Sequence, residues 1–250
     1  MSISIIIPVY NEKETCELFV NVLLATIKVD CEIIIIYDSE EDNTIPSIEK
    51  LKKKYSNVSS VLNKNRGAVY AFIEGVKKAK YEVILLSTID EIFPIIMIDD
   101  MYKLILEKNC DLVSGTRYRF GGKRYGGFFL GKNLSRVANL IFSFITNFPL
   151  SDATTGFKMF KKSMFNKIKI ESNPIGWAFA FEIAVKFAMQ NAKLGEVPLV
   201  AVDRVYGGDS TFKGNTMRWS KEYFRWFKWG IKNLKRSNQQ KIVTLEKYTT

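Results

Sequence analysis

Residues 2–12 read Ser-Ile-Ser-Ile-Ile-Ile-Pro-Val-Tyr-Asn-Glu, and residues 32–38 read Glu-Ile-Ile-Ile-Ile-Tyr-Asp. Each is a continuous apolar run, as expected of a parallel strand covered on both faces; a half-solvated strand would alternate instead. Each breaks into polar residues where the strand would end. Ligands of open α/β sheets bind outside the carboxyl ends of the strands. Tyr10, Asn11, Glu12 and Asp38 are therefore the first candidates for a ligand site.

The rest of the first half repeats this grammar. The pattern predicts a strand over 3–8, a helix over 13–27, a strand over 32–37 and a helix from 44 or 46 to 55. Asn43 or Thr44 would cap that second helix, with Pro46 in its first turn. A strand over 58–62, a helix over 67–79, a strand over 82–87 and a helix over 95–108 opened by Pro94 follow. Strands alternating with helices at this spacing imply right-handed βαβ units and a parallel sheet. Beyond residue 110 the pattern loosens. Strands are expected over 111–115, 156–160 and 194–202, helices over 132–147 and 177–190, and residues 120–131 are Gly-rich and basic. There is no internal repeat, low-complexity tract or linker, so one domain is expected.

A chain of 250 residues, 47% hydrophobic, can bury a sizeable core. Its formal charge of +11 is unevenly placed. Arg117 to Arg136 holds six basic residues and no acidic one, and Arg204 to Arg236 holds nine basic and two acidic. Such localised charge suggests an anionic partner: phosphates, acidic lipid or nucleic acid. Three scattered cysteines, Cys16, Cys31 and Cys110, offer neither a disulfide framework nor a zinc site, and Cys31 and Cys110 read as core thiols. No secretory leader is visible, and no apolar run approaches the roughly 20 residues of a membrane span. A cytoplasmic location is expected.

A nucleotide-sugar site would need carboxylates at strand ends to accept hydrogen bonds from ribose or base, which Glu12 and Asp38 could supply. It would also need a carboxylate to hold a divalent metal against the diphosphate. Glu82-Val-Ile-Leu-Leu-Ser-Thr-Ile-Asp90 ends in one, followed by Glu91-Ile-Phe-Pro94. At this point the sequence resembles the inverting family-2 glycosyltransferases of the A-type fold, nearest their dolichol- or polyprenol-phosphate mannosyltransferase branch. The resemblance covers roughly residues 2–213. It rests on Pro8-Val-Tyr-Asn-Glu12, on Asp38-Ser-Glu-Glu-Asp-Asn-Thr44, on Asn65-Arg-Gly67, and on Asp111-Leu-Val-Ser-Gly-Thr-Arg117. Asp152-Ala-Thr-Thr-Gly-Phe-Lys158, Phe181-Glu-Ile183, Gly195-Glu-Val-Pro198 and Arg204-Val-Tyr-Gly207 complete the series. Each motif is weak alone; their number and order are specific.

The resemblance implies a Rossmann-like, mostly parallel sheet flanked by helices. Its nucleotide-binding half would span about 1–115 and its acceptor half about 116–213, with a basic aromatic helix and tail over 214–250. It implies donor and acceptor binding by Pro8, Tyr10, Glu12, Asp38, Thr88, Lys132, Arg204 and Lys213. It implies catalytic roles for Asp90, Asp152 and Arg117, and Mg²⁺ or Mn²⁺ at Asp90 and Glu91. The metal motif departs from the family's Asp-x-Asp, since Thr88 stands at its first position and Ile92 where Gln often follows. Gly131 replaces a basic residue, with Lys132 beside it.

The chain has no histidine. Transfer to a sugar hydroxyl needs a general base, here a carboxylate such as Asp152 or Glu182. A lipid phosphate monoester, with a second pKa near 6, is already largely dianionic and needs only cations to hold it. A polyprenyl phosphate acceptor is therefore expected, with the chain peripheral on the inner face of a membrane. In the segment 216–236, Trp219, Tyr223, Trp226 and Gly230 share one helical face, with Phe227 and Leu234 beside it and basic residues flanking. That is the pattern of a helix lying in a membrane surface. Two other readings remain open: transfer to a hydroxyl of a cell-surface glycan, and a degenerate, non-catalytic subunit that binds nucleotide or membrane. Nucleic acid is not an expected partner, because the basic segments lie in the acceptor half.

Overall fold

The computed structural model of the chain describes residues 2–126, 129–174, 176–202, 216–234 and 241–249. Their strands are β1 (Ile3–Val9), β2 (Cys31–Tyr37), β3 (Val58–Leu62), β4 (Val83–Leu86), β5 (Leu112–Thr116), β6 (Lys123–Tyr125), β7 (Lys158–Lys161), β8 (Leu194–Pro198) and β9 (Val200–Val202). Their helices are α1 (Lys13–Thr26), α2 (Ile45–Lys54), α3 (Ala68–Lys78), α4 (Ile98–Leu106), α5 (Phe129–Thr146), α6 (Lys162–Phe165), α7 (Ala178–Met189) and α8 (Thr216–Asn233). Seven strands form one sheet in the order β3-β2-β1-β4-β7-β5-β8, and β6 pairs with β9 apart from it.

The apolar runs work as two-sided strands. Ile3, Ile5 and Ile7 of β1, with Ile33 and Ile35 of β2, pack on Phe19 and Leu23 of α1, Leu51 of α2 and Met101 of α4. The intervening Ile6, Ile34 and Ile36 pack into the opposite layer with Phe72 of α3, Phe142 of α5, Phe179 of α7 and Trp226 of α8. Burying one such side chain stabilises by roughly 1.5–3 kcal/mol, so β1 and β2 are firmly anchored. Gly75 brings α3 close to the sheet, since a Cβ there would lie 2.5 Å from Cγ2 of Ile6. Cys16 and Cys110 are buried and Cys31 is half-buried. Burial pushes their thiols up to about 12, 11 and 11 respectively, far from nucleophilic use.

β7 runs antiparallel to both β4 and β5, because it is entered from a loop at the carboxyl edge, so the sheet is mostly parallel as expected. Two expectations are corrected. The single strand expected over 194–202 is two. Pro198 has no N–H to continue the ladder, so β8 stays beside β5 while β9 turns away to pair with β6. The aromatic face of α8 is not offered to a membrane. Trp226 is 3% exposed, and its Nε1 donates to Glu222 at 3.0 Å. Gly230 sits so close to α5 that a Cβ would lie 2.8 Å from Phe142. The Trp219 side chain lies outside the described residues. Among its described side chains, α8 leaves exposed Arg218, Ser220, Lys221, Phe224, Arg225, Lys228 and Lys232. Among the described residues no helix is long and apolar enough to cross a membrane.

Candidate active site

β2 and β3 lie on one side of β1, whereas β4 lies on the other. The chain therefore reverses its direction of travel between β1 and β4, and a crevice opens where neighbouring connections part at the carboxyl edge. Tyr10, Asn11 and Glu12 follow β1, and Thr88, Ile89 and Asp90 follow β4, so the two segments flank that crevice. Asp38 ends β2 and Arg117 ends β5. Because β7 is antiparallel, the loop before it, with Asp152 and Thr154, reaches the same edge.

On the β1 side, the acidic run after β2 is partly structural. Asp42 is buried; it accepts from the amides of Asn11 at 3.2 Å and Thr44 at 2.8 Å. Glu12 N donates to Oγ1 of Thr44 at 2.9 Å, and Lys13 N to Oδ1 of Asn43 at 3.2 Å. Asp42, Asn43 and Thr44 thus satisfy the open amides at the start of α1, whereas the sequence suggested a cap for α2 alone. This fixes Asn11, at φ 55°, and holds Tyr10 55% exposed at the rim. Pro8 is half-buried within β1, opposite Ile36. Asp38 accepts from Nδ2 of Asn63 and from the amide of Gly67, both at 2.7 Å. Gly67 has φ 101°, and a Cβ there would meet the Pro174 carbonyl at 2.9 Å; only glycine fits. A carboxylate has about four acceptor sites, so Asp38 can anchor α3 and still receive a ligand hydroxyl.

On the β4 side, Thr88 and Asp90 are half-buried. Asp90 accepts no hydrogen bond from any described residue, unlike Asp38, Asp42 and Asp152. Glu91 is near enough to Arg117 to favour its charged form. Among the described residues no cluster of three or more metal-ligating side chains occurs. One or two carboxylates plus substrate phosphates suffice for Mg²⁺, and Asp90 with Glu91 beside it fits that minimal donor set.

Behind the crevice lies a buried charge cluster. Arg117 donates Nε to Oδ2 of Asp152 at 2.6 Å and Nη2 to Oδ1 at 2.9 Å. Nη2 also reaches Oγ1 of Thr154 at 3.0 Å. Asp152 is 0% exposed and the Arg117 side chain 11%. Burial alone would lower the Arg117 value, but the Asp152 carboxylate overrides it and holds the guanidinium charged. Burial alone would raise Asp152; the charge and hydrogen bonds of Arg117 outweigh it and keep the carboxyl below the usual range. Lys158, also fully buried, donates to Oγ of Ser114 at 2.8 Å. Burial pushes it down to about 7, against the opposing charges of Asp152 and Glu196. Glu196 is pushed up to about 7 by burial, although the amides of Asp152 (3.1 Å) and Ser151 (2.6 Å) donate to it. From the other side, Ser135 and Asn139 of α5 reach Oγ1 of Thr154 at 3.1 and 3.3 Å, and Oδ1 of Asn139 accepts from Ala153 N at 2.9 Å. The loop that holds Asp152 is thus pinned from β8 and from α5.

Glu182 is apart from this cluster and fully buried. It accepts from the amides of Glu171 at 2.7 Å and Ser172 at 2.9 Å, and pairs with Lys186 at 2.7 Å. The Lys132 side chain, Arg204 and Lys213 lie outside the described residues. The residues that sequence reasoning missed, Asp42, Lys158 and Glu196, carried two signals. Lys158 and Glu196 are charges inside strand-like apolar runs, and buried charges are almost always paired; Asp42 opens an Asp-Asn-Thr triplet of capping residues.

The family profile described as Glycosyl transferase family 2 matches residues 4–169. The chain is 29% identical over 233 residues to a dolichol-phosphate mannosyltransferase of Pyrococcus furiosus, covering 92% of this chain and 64% of that protein. The match therefore spans just under two thirds of that relative. Among solved structures, a mannosyltransferase from Pyrobaculum calidifontis in complex with GDP-Man and Mn²⁺ is similar at a TM-score of 0.66 and 15% identity, covering 92% of this chain and 64% of that one. A glucosyl-3-phosphoglycerate synthase from Mycobacterium tuberculosis in complex with Mn²⁺, UDP and glucosyl-3-phosphoglycerate is similar at 0.68 and 13%, covering 92% and 80%. At such identities these likenesses speak to fold: the seven-stranded, mostly parallel sheet flanked by helices is that of A-type glycosyltransferases.

Proposed function

Because the chain belongs to glycosyl transferase family 2, we propose that it moves a sugar from a nucleoside diphosphate donor to a polyprenyl phosphate, with inversion at the anomeric carbon. The observation that carries the acceptor class is the engagement of the two carboxylates suggested as a base for a hydroxyl acceptor. Asp152 has both oxygens on Arg117 in a fully buried site, and Glu182 is buried among two amides and Lys186. A hydroxyl acceptor would lack either as base, whereas a phosphate monoester needs none. The similarity to a dolichol-phosphate mannosyltransferase supports the same acceptor.

In this reading Tyr10, Glu12 and Asp38 receive the nucleotide. A divalent cation held by Asp90, with Glu91 beside it, would neutralise charge on the diphosphate. Arg117, kept charged and fixed in direction by Asp152, has its Nε and Nη2 engaged by Asp152 and Thr154 and would meet a phosphate through Nη1. Asp152 is then a positioning residue. An oxygen of the acceptor phosphate attacks the anomeric carbon opposite the diphosphate. The new C–O bond forms as the sugar–diphosphate C–O bond breaks, and the electron pair departs on the nucleoside diphosphate. Such an acceptor requires work at a membrane surface, and we place the chain peripherally on its inner face.

The test is incubation with a short polyprenyl phosphate and radiolabelled GDP- and UDP-sugars, with Mg²⁺, Mn²⁺ or EDTA. Label entering the organic phase with one donor is expected. Label that enters only a glycan, or no lipid product with any donor, would sink the acceptor assignment.

A further inference from the structure

Helix α5 is built inside out for a protein in water. Among its described side chains, the polar ones other than Arg136 point inward. Asn139 and Thr146 are buried, Ser135 joins Tyr118 and Thr154 at 3.0 and 3.1 Å, and Ser143 donates to the Phe148 carbonyl at 2.8 Å. Its outward face carries Leu134, Val137, Leu140, Ile141, Phe144 and Ile145, which are 43–82% exposed, Phe144 most of all. Contiguous exposed apolar surface of this kind marks an interaction site. At 100° per residue the six fall within one stripe, and Arg136 falls on its border beside Leu140. Next to that border is a pocket of about 190 Å³ lined by Tyr118, Arg119, Arg136, Leu140 and Ser151. Arg119 and Arg136 are exposed, and neither meets a carboxylate among the described residues.

We propose that the outward face of α5 seats the chain on an anionic lipid bilayer, with a lipid headgroup phosphate between Arg119 and Arg136 and the apolar stripe in the acyl boundary. Charge decides the occupant. Helix α5 has no acidic residue, and α8, packed against it, has one, the buried Glu222, against exposed Arg218, Lys221, Arg225, Lys228 and Lys232. A second copy of the chain would bring like charges together around the stripe, whereas an anionic leaflet complements them. The inference deepens the lipid-acceptor reading and rests on it only for expecting a membrane. It also moves the membrane contact from the aromatic face of α8 to α5.

The experiment is flotation of the full chain with phosphatidylcholine vesicles, with and without phosphatidylglycerol. The wild type should bind the anionic vesicles and release them in high salt. Leu140→Ser with Phe144→Ser should abolish binding, and Arg119→Ser with Arg136→Ser should weaken it about fivefold per charge. Ile96→Ser, 59% exposed beside the opposite helical layer, should change nothing. An environment-sensitive fluorophore on Phe144→Cys should shift to the blue on anionic vesicles, a readout independent of the serine variants. Undiminished flotation of the Leu140/Phe144 variant, no fluorophore shift, or a wild-type dimer that this variant splits without any vesicle binding would each overturn the proposal. Transfer to a water-soluble short-chain acceptor is scored separately. The Leu140/Phe144 variant should retain it, so loss of transfer in the wild type strikes the proposed function alone, and loss of vesicle binding strikes the docking face alone.

Discussion

Replacing Asp152 by asparagine tests whether the charge cluster holds the site together. Asparagine keeps the shape but removes the charge, leaving the Arg117 guanidinium 11% exposed and unpaired beside a fully buried lysine. An exposed ion pair contributes about 0–1 kcal/mol. Breaking a buried one costs about 3–5 kcal/mol, because the surviving charge is left desolvated. The bidentate contacts at 2.6 and 2.9 Å and the burial of both partners put this pair in the second class. Against a typical stability of about 5–15 kcal/mol, Asp152→Asn should forfeit about a fifth or more. Urea unfolding followed by circular dichroism at neutral pH measures it. The pH dependence supplies a second check. The folded-state value of Asp152 is depressed, so its contribution is present above the unfolded value of about 3.9 and is lost as pH falls through the folded value. The gap between wild type and variant should thus stay constant from neutral pH down to about 4 and close below that. A loss under about 1 kcal/mol, the exposed-pair range, would refute the reasoning.

Lys158 gives the same sign at the other end of the scale. Its folded value is pushed down to about 7 from an ordinary 10.5, so the unfolded chain binds more protons in that window and stability rises with pH there. Lys158→Met should flatten the rise between pH 7 and about 9, below the titration of the buried cysteines; equal slopes in thermal melts of wild type and variant would contradict it. At the crevice, Asp90→Asn should weaken nucleoside-diphosphate-dependent Mn²⁺ binding at least tenfold, roughly 1.4 kcal/mol, and Thr88→Asp should tighten it. Calorimetric titrations showing neither change would remove Asp90 from the metal's donor set.

How far the sequence carried the fold depended on what an apolar run can encode. Residues 3–9 and 31–37 are buried on both faces, so their continuity identified parallel strands, and the strand ends then put Tyr10, Asp38 and Asp90 at one edge of the sheet. Direction is not encoded in such a run, so the antiparallel course of β7 could not be read from it. The buried charges were legible in principle. Lys158 interrupts an apolar strand, and Glu182 sits in α7, Ala-Phe-Ala-Phe-Glu-Ile-Ala-Val-Lys-Phe-Ala-Met, which is apolar on every face and therefore belongs inside. The helices α5 and α8 set the limit. Both show two faces at helical spacing, but a period reports only that the faces differ, not which medium each one meets. In α8 the aromatic face meets protein, because Gly230 admits Phe142 and Glu222 takes the indole N–H of Trp226. In α5 the loop carrying Asp152 needs hydrogen-bond partners, so Ser135 and Asn139 turn inward to supply them. The apolar face is then left outside. The carboxyl edge of the sheet and the exposed apolar stripe are in this sense one structural decision: ordering the Arg117–Asp152 clamp requires a polar inner face on α5, and that requirement is what pushes Leu140 and Phe144 out.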